Sequence, residues 1–218
     1  MNINSVSVIG LGYIGLPTAA ILASHKFKTY GIDTNSKVVD VINEGKTHIT
    51  EPGLKKIVQN SVESGFLRAY TEPLESDVFV ITVPTPLRND KSPDVSYVSD
   101  AIKNVAPVIK KNNLIIIEST SPVGTSREMS KILKKCRPDL KCPHENLNVH
   151  DINIAYCPER VIPGNTLQEL ISNDRIVGGI TKECSNKAFE FYQQFINGTC
   201  HKTDAETAEL SKLAENSF

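Results

Sequence analysis

Short apolar runs separated by amphipathic stretches set the rhythm of this chain. Ser5–Ile9, with Val6, Val8 and Ile9, reads as a buried strand; Gly10-Leu11-Gly12-Tyr13-Ile14-Gly15 follows, and then a helix opens. Pro17 falls in the first helical turn, where its missing N–H has no intrahelical partner to lose. A second run, Thr29–Ile32, ends in Asp33, and Val38, Val41 and Ile42 have the i, i+3, i+4 spacing of a short helix stopping near Gly45. Glu51-Pro52-Gly53-Leu54 opens a helical stretch to Glu63, closed by Gly65, and Phe66–Tyr70 offers another strand. Asp77–Val83 is nearly continuous in apolar residues, as strands are in parallel sheets covered on both faces.

The second half repeats the alternation. Asp94 is expected to cap a helix whose stripe is Val95, Val98, Ile102, Val105, Val108 and Ile109, with Lys110 and Lys111 at the end where the helix dipole favours cations. Leu114–Ile117 is a buried strand, and Met129, Ile132 and Leu133 mark the next helix. Cys136 to His150 is polar and carries Pro138 and Pro143, which predicts an excursion. Asp151–Tyr156 and Asp174–Gly179 read as strands, Lys182–Phe195 as a helix and Thr199–His201 as a short extended segment. Thr203-Asp204-Ala205-Glu206 is a capping box, and its helix reads on to Phe218 without a stop signal. The fold class predicted is α/β, a doubly wound, Rossmann-type, mostly parallel sheet with helices on both faces, binding its ligand beyond the carboxyl ends of the strands.

Composition narrows the function. A net charge of −1 over 218 residues supplies no basic field for nucleic acid or an anionic membrane. No run of eighteen apolar residues and no signal-peptide pattern occur, so a cytoplasmic protein is expected. Five cysteines, an odd number without a tight framework, fit reduced thiols. Cys136, Cys142 and His144 lack a fourth ligand and standard spacing, so no metal is expected.

The candidate chemistry begins at the glycines. Gly10, Gly12 and Gly15 have the G-x-G-x-x-G spacing: a tight turn, an open approach for a pyrophosphate, and close packing of helix on strand. The helix N-terminus offers unpaired N–H groups to phosphate. Asp33, eighteen residues after Gly15, stands where a carboxylate accepts from an adenosine ribose and repels a 2′-phosphate, which favours NAD over NADP. As an alternative, Asp33 caps the helix that follows, with Thr34, Asn35 and Ser36 as rivals.

Four motifs, Gly10-Leu11-Gly12-Tyr13-Ile14-Gly15-Leu16-Pro17, Pro84-Thr85-Pro86, Glu118-Ser119-Thr120-Ser121-Pro122-Val123-Gly124 and Tyr156-Cys157-Pro158-Glu159-Arg160-Val161-Ile162-Pro163-Gly164, taken together resemble the UDP-glucose/GDP-mannose dehydrogenases. The resemblance covers essentially the whole chain and is greatest to the UDP-N-acetyl-D-mannosamine dehydrogenases of bacterial surface-polysaccharide synthesis; Thr207-Ala208-Glu209-x-x-Lys212-x-x-x-Asn216 is similar to the start of that family's long central helix. It implies an NAD-binding domain over 1–202, the start of a connecting helix over 203–218, and middle and UDP-binding domains outside this chain. It further implies oxidation of a nucleotide-sugar C6 alcohol to a carboxylate with two NAD+, through a thiol located downstream of the central helix. Thr120 and Glu159 then correspond to residues that hold and activate water, and Lys212 and Asn216 to a pair that stabilises an oxyanion. Gly10, Gly12, Tyr13, Ile14, Gly15, Asp33, Thr85, Pro86 and Thr120 correspond to the cofactor side; Glu159, Arg160, Lys212 and Asn216 to the substrate side.

Arg160 and Pro163 depart from the UDP-glucose enzymes and point to the N-acetyl-hexosamine branch. Without the resemblance, Thr120 is a turn residue, Glu159 a helix cap and Lys212 a solvated lysine. Cys157 is expected to be a structural thiol. The resemblance also implies a homodimer through the central helix, with Leu210, Leu213 and Phe218 on the contact face; a UDP-N-acetylglucosamine or UDP-glucose enzyme, or a non-catalytic NAD-binding or interaction module, are the alternatives.

Overall fold

The computed structural model describes residues 3–146 and 148–217. Its eight strands are β1 (Ser5–Ile9), β2 (Lys28–Ile32), β3 (Leu67–Tyr70), β4 (Val78–Ile81), β5 (Leu114–Ile117), β6 (Asn153–Tyr156), β7 (Arg175–Gly179) and β8 (Cys200–Asp204). They form one sheet in the order β3-β2-β1-β4-β5-β6-β7-β8. Pairing is parallel from β3 through β6; β7 joins β6 antiparallel over Ala155↔Gly179 and Tyr156↔Gly178, and β8 runs parallel to β7.

Period-two alternation divides each central strand between two apolar layers. Val78, Val80, Leu114 and Ile116 face one layer, and Phe79, Ile81, Ile115 and Ile117 the other. Against the first pack α1 (Gly15–Ser24), α2 (Ser36–Asn43), α3 (Leu54–Glu63), α6 (Thr166–Ser172) and α7 (Lys182–Tyr192). Against the second pack α4 (Ser96–Val105), α5 (Thr125–Cys136) and α8 (Ala205–Glu215). Both faces are therefore covered, which is why the middle strands read as continuous apolar runs.

Several expectations are corrected. In α2 the buried positions are Val39 and Ile42, while Val38 and Val41 are half-buried. Helix α4 ends at Val105 because Pro107 has no N–H to continue the ladder; a 3-10 turn, Ala106–Val108, follows. Lys110 and Lys111 lie beyond that end and pair with Glu75 and Asp151. Asp94 accepts from Ser96 N at 3.0 Å, but Val95 holds the cap position. Asp204, not Thr203, caps α8, accepting from Thr207 N at 2.8 Å, while Glu206 pairs with Arg127. The excursion after α5 sends Leu140 and Cys142 into the second layer. Helix α6 falls in a stretch that carries no clear helical pattern.

One buried charge pair joins the reversed strand to the centre of the sheet. Arg175 Nη1, at the start of β7, donates to Glu118 Oε1 at 2.8 Å, and Tyr192 Oη donates to the same oxygen at 2.7 Å. The guanidinium also lies 4.6 Å from the Tyr192 ring centroid. Both charged side chains are almost wholly buried, at 6% and 1% exposure. Glu118→Gln leaves a buried cation without its counter-charge and is expected to cost about 3–5 kcal/mol. Replacing both partners by Leu and Met should recover most of that loss, and urea denaturation of the two variants checks both statements.

Candidate functional site

The crevice forms where the strand order turns back, at the carboxyl ends of β1 and β4. Gly10, at φ +92°, starts the turn; its N–H bonds Ile32 O at 2.8 Å, and Leu11 N donates to Asp33 Oδ2 at 3.0 Å. Thr82 Oγ1 lies 2.8 Å from Gly10 O and 3.0 Å from Ile9 O, bonding the turn to β4. A Cβ on Gly15 would sit 1.8 Å from Gly10 O, so only glycine lets α1 start this close to the turn. A Cβ on Gly12 would meet nothing within 4 Å: this is the open side of the turn, where backbone N–H groups at the start of α1 can meet a phosphate.

Asp33 stays free of the capping role. Asn35 is the N-cap of α2, accepting from Lys37 N at 3.1 Å, while Asp33 accepts from Leu11 N and Asn35 N. Its carboxylate thus braces the glycine turn and borders the cleft.

That cleft has a volume of about 790 Å³. Gly10, Gly12, Tyr13, Ile14, Asp33 and Thr85 line it, and Thr120 and Glu159 close its other end. Gly15 lies behind the turn, and Pro86 is outside the wall, exposed, with its carbonyl accepting from Asp94 N at 2.8 Å. Helix α4 supplies residues that the sequence reading passed over: Tyr97, Ala101 and Asn104, at i, i+4 and i+7, face the cleft. Their helical spacing on the flank of the buried stripe was the available signal.

Helix α8 brings Lys212 to Glu159. Lys212 Nζ donates to Glu159 O at 2.7 Å and lies 3.4 Å from Glu159 Oε1 and 3.5 Å from Glu215 Oε2. Burial pushes the Glu159 carboxyl up, and the Lys212 ammonium partly offsets this. Arg160 is exposed and paired with Glu215, outside the cleft wall. Asn216 is exposed at the C-cap of α8, its N–H on Lys212 O at 3.1 Å. So Lys212 and Glu159 meet, but of the four only Glu159 lines the cleft; Lys212 reaches it from behind, and Arg160 and Asn216 stand on exposed surface. Glu209 anchors the helix: its buried carboxylate accepts from Gly124 N at 2.6 Å and from Ser126 N and Oγ at 2.7 Å, at the start of α5.

Cys142, Cys157 and Cys184 are buried and packed, Cys200 is half-buried and Cys136 is exposed. Cys157 is buried and its thiol is pushed well up by that burial. Cys142 is pushed up to about 11 by burial, and His144 Nδ1 lies 2.7 Å from Ser130 Oγ. Among the described residues no group of three or more His, Cys, Asp or Glu is arranged to hold a metal ion, and no helix is long and apolar enough to cross a membrane.

The model of the UDP-glucose/GDP-mannose dehydrogenase family, NAD binding domain, matches residues 4–196. The chain belongs to this family. This NAD-binding domain is 54% identical over 216 residues to the UDP-N-acetyl-D-mannosamine dehydrogenase of Campylobacter jejuni, covering 99% of the chain and 53% of that relative. It is 50% identical to an NDP-N-acetyl-D-galactosaminuronic acid dehydrogenase of Ralstonia nicotianae, covering 100% and 52%. The solved UDP-D-ManNAc dehydrogenase of Pyrococcus horikoshii superposes with a TM-score of 0.91 at 39% identity, over 98% of this chain and 50% of that one. The chain thus spans about half the length of the relatives it matches. The family's cofactor fits the site: the side-chain-free approach at Gly12 opens toward a cleft that Asp33 borders.

Two outcomes test this geometry. Gly12→Ala is expected to keep the melting temperature within about 2 °C, as a substitution into open space should, yet to abolish NAD+ binding; Gly15→Ala should lose both. Thermal melts with calorimetric titration separate the two cases. For Glu159 the folded pKa is raised, so relative to Glu159→Gln the native protein is favoured below the unfolded-state pKa of about 4.3. It loses that advantage as pH rises through the raised folded value. Urea melts at acid and neutral pH should show the Gln variant gaining on the native protein toward neutrality; a constant difference would contradict this.

Proposed function

We propose that this domain is the cofactor half of a nucleotide-sugar 6-dehydrogenase that oxidises UDP-N-acetyl-D-mannosamine to its uronic acid with two NAD+, serving surface-polysaccharide synthesis. The observation that carries the proposal is a single cleft with the glycine turn and Asp33 at one end and Thr120 and the Lys212-paired Glu159 at the other. A bound nicotinamide supplies hydride-accepting capacity there. Backbone N–H groups of Gly12, Tyr13 and Ile14 hold the pyrophosphate, with the positive end of α1 behind them. Asp33 accepts the ribose hydroxyls and repels a 2′-phosphate. Thr85 and Thr120 border the nicotinamide end, with Pro86 shaping the loop behind Thr85.

On the substrate side, Glu159 and Thr120 hold and activate water. Burial, which pushes its carboxyl above the ordinary range, favours Glu159 as a group that holds and returns a proton, and Lys212, already within reach of its oxygens, stabilises developing negative charge with Asn216, one turn farther along α8. Arg160, outside the cleft wall and paired with Glu215, is assigned to the nucleotide sugar through the surface it shares with the domains that these residues do not span. The reacting thiol and most sugar contacts belong to the part of the relatives that these 218 residues do not span, so this chain is proposed to bind NAD+ without completing the oxidation. Residues 1–202 are assigned to the cofactor unit and 203–218 to the connecting helix. We assign the homodimer contact to that helix, where Leu210 is 58% exposed and Leu213 half-buried; Phe218 lies outside the described residues. UDP-N-acetylglucosamine and UDP-glucose stay as the alternative substrates, and the Ralstonia relative, an NDP-N-acetyl-D-galactosaminuronic acid dehydrogenase, favours the N-acetyl-hexosamine among them.

Calorimetric titration with NAD+ and NADP+ tests the cofactor assignment. Native protein should bind NAD+ and take NADP+ poorly. Asp33→Ala should weaken NAD+ about tenfold, the worth of one hydrogen bond to a charged group. Equal binding of both dinucleotides by the native protein would refute the role given to Asp33.

A further inference from the structure

Glu51 opens the Glu-Pro-Gly-Leu sequence ahead of α3, and nothing in the proposed chemistry uses it. It is 7% exposed, and three donors from two distant segments converge on it. Tyr13 Oη, from the middle of the glycine turn, donates to Oε2 at 2.9 Å. Gly164 N donates to the same oxygen at 3.0 Å, and Thr166 N donates to Oε1 at 2.7 Å. Burial pushes this carboxyl up, but the Gly164 N–H, the Tyr13 phenol and Thr166 outweigh it and hold it below the ordinary carboxylate range. It is an ionised acceptor at neutral pH, satisfied by one donor from the glycine turn and two from the segment that follows Glu159.

What these donors belong to gives the contact its meaning. Tyr13 sits between Gly12 and Ile14, lines the cleft, and contributes one of the N–H groups that a pyrophosphate takes. Gly164 and Thr166 end the segment that starts at Glu159. That segment is a surface loop: Ile162 is 68% exposed, and Gly164 has φ +94°. Glu169 and Asn173 brace it locally, through Ile162 N at 2.7 Å and Arg160 O at 2.7 Å. The two bonds to Glu51 tie it to the half of the sheet that carries the glycine turn.

We propose that Glu51 is a positioning residue that couples dinucleotide binding at the glycine turn to the order of the Glu159–Thr166 segment, with the Tyr13 phenol as the link. The proposal rests on the NAD-binding reading. A ligand that fixes the Tyr13 backbone narrows the positions its phenol can occupy, and so narrows those of the Glu51 carboxylate that the Gly164 and Thr166 N–H groups share. The segment then loses less freedom on ordering than it would without ligand, and by linkage its order raises dinucleotide affinity by the same factor. The plainer role for Glu51 is a fixed cap for the start of α6, since Thr166 is the first residue of that helix. Such a cap makes Tyr13 indifferent to the ligand.

Amide hydrogen exchange of residues 160–167, followed with and without saturating NAD+ and paired with calorimetric titration of the same samples, distinguishes the two. In the native protein NAD+ should slow exchange there about fivefold or more. In Tyr13→Phe, which removes one hydroxyl, keeps the Tyr13 backbone N–H and leaves both loop bonds to Glu51, NAD+ affinity should fall by the same factor that the coupling contributed, about fivefold, and saturation should need correspondingly more NAD+. The ligand-dependent slowing should then fall below about twofold. Glu51→Gln should exchange faster in this segment even without NAD+; if that variant fails to fold, Tyr13→Phe still decides. Equal NAD+-dependent protection in native and Tyr13→Phe proteins overturns the coupling, as does NAD+ binding that leaves the segment unchanged. Absence of any NAD+ binding by the native protein removes the cofactor reading and this proposal with it.

Discussion

The first turn of this protein is built around an approach too close for a side chain. Because Gly15 has no Cβ, α1 begins directly against the carbonyl of Gly10, and the turn is bonded to three strands at once, to β1 through the chain, to β2 at Ile32 and to β4 through Thr82. Everything downstream takes its position from this junction. The helix dipole is aimed over the sheet edge, Asp33 is drawn onto Leu11 N, and the open side of Gly12 becomes the floor of the cleft. A helix starting even one methyl group farther away would leave the turn without its packing and the phosphate site without its geometry.

Much of the architecture could be read from local pattern, because local pattern is what a doubly covered parallel sheet imposes. Leu114–Ile117 is apolar throughout since both faces of β5 are buried, and its shortness, its three isoleucines and its polar flanks favour a strand over a buried helix segment. Where the reading failed, the controlling contact was remote or the stop signal was missed. Helix α6 has seven residues, too few for a periodicity to declare itself, and its first N–H is satisfied by Glu51, 115 positions earlier in the chain. Helix α4 ends at Val105 ahead of Pro107, a stop signal that the continuing apolar stripe masked. In α2, choosing Val41 over Val39 reflects two staggered apolar rows on one short helix, of which only packing selects the inner one.

The site divides along the same line. Its glycines and Asp33 are legible because turn geometry and ribose recognition each demand one residue type at one spacing. The pairing of Lys212 with Glu159 has no such signature: the two are 53 positions apart and become neighbours only through the way α8 lies across the end of β6. Resemblance supplied those residues, and the structure brings Lys212 to Glu159 while leaving Asn216 and Arg160 on exposed surface. Tyr13 shows the opposite failure, being named only on the cofactor side while its phenol reaches Glu51 on the far side of the turn.

Strand reversal at β7 decides how a helix can serve the cleft. After a parallel strand of this sheet, the next helix starts at the cleft end of the sheet and runs away from it, as α4 does after β4, although α4 still shows Tyr97, Ala101 and Asn104 to the cleft along its side. Because β8 runs the other way, α8 starts beside Gly178 and Ala208 packs there, and the helix then advances toward the cleft. From Asp204 to Lys212 it covers about 12 Å. The lysine therefore arrives on the side of a rod clamped near its middle by Glu209, rather than on a loop. Its aim is set by helical phase: one residue inserted between Asp204 and Glu209 would turn the ammonium by about 100° relative to the start of the helix, so this part of the chain should tolerate exchange of side chains far better than any change of length.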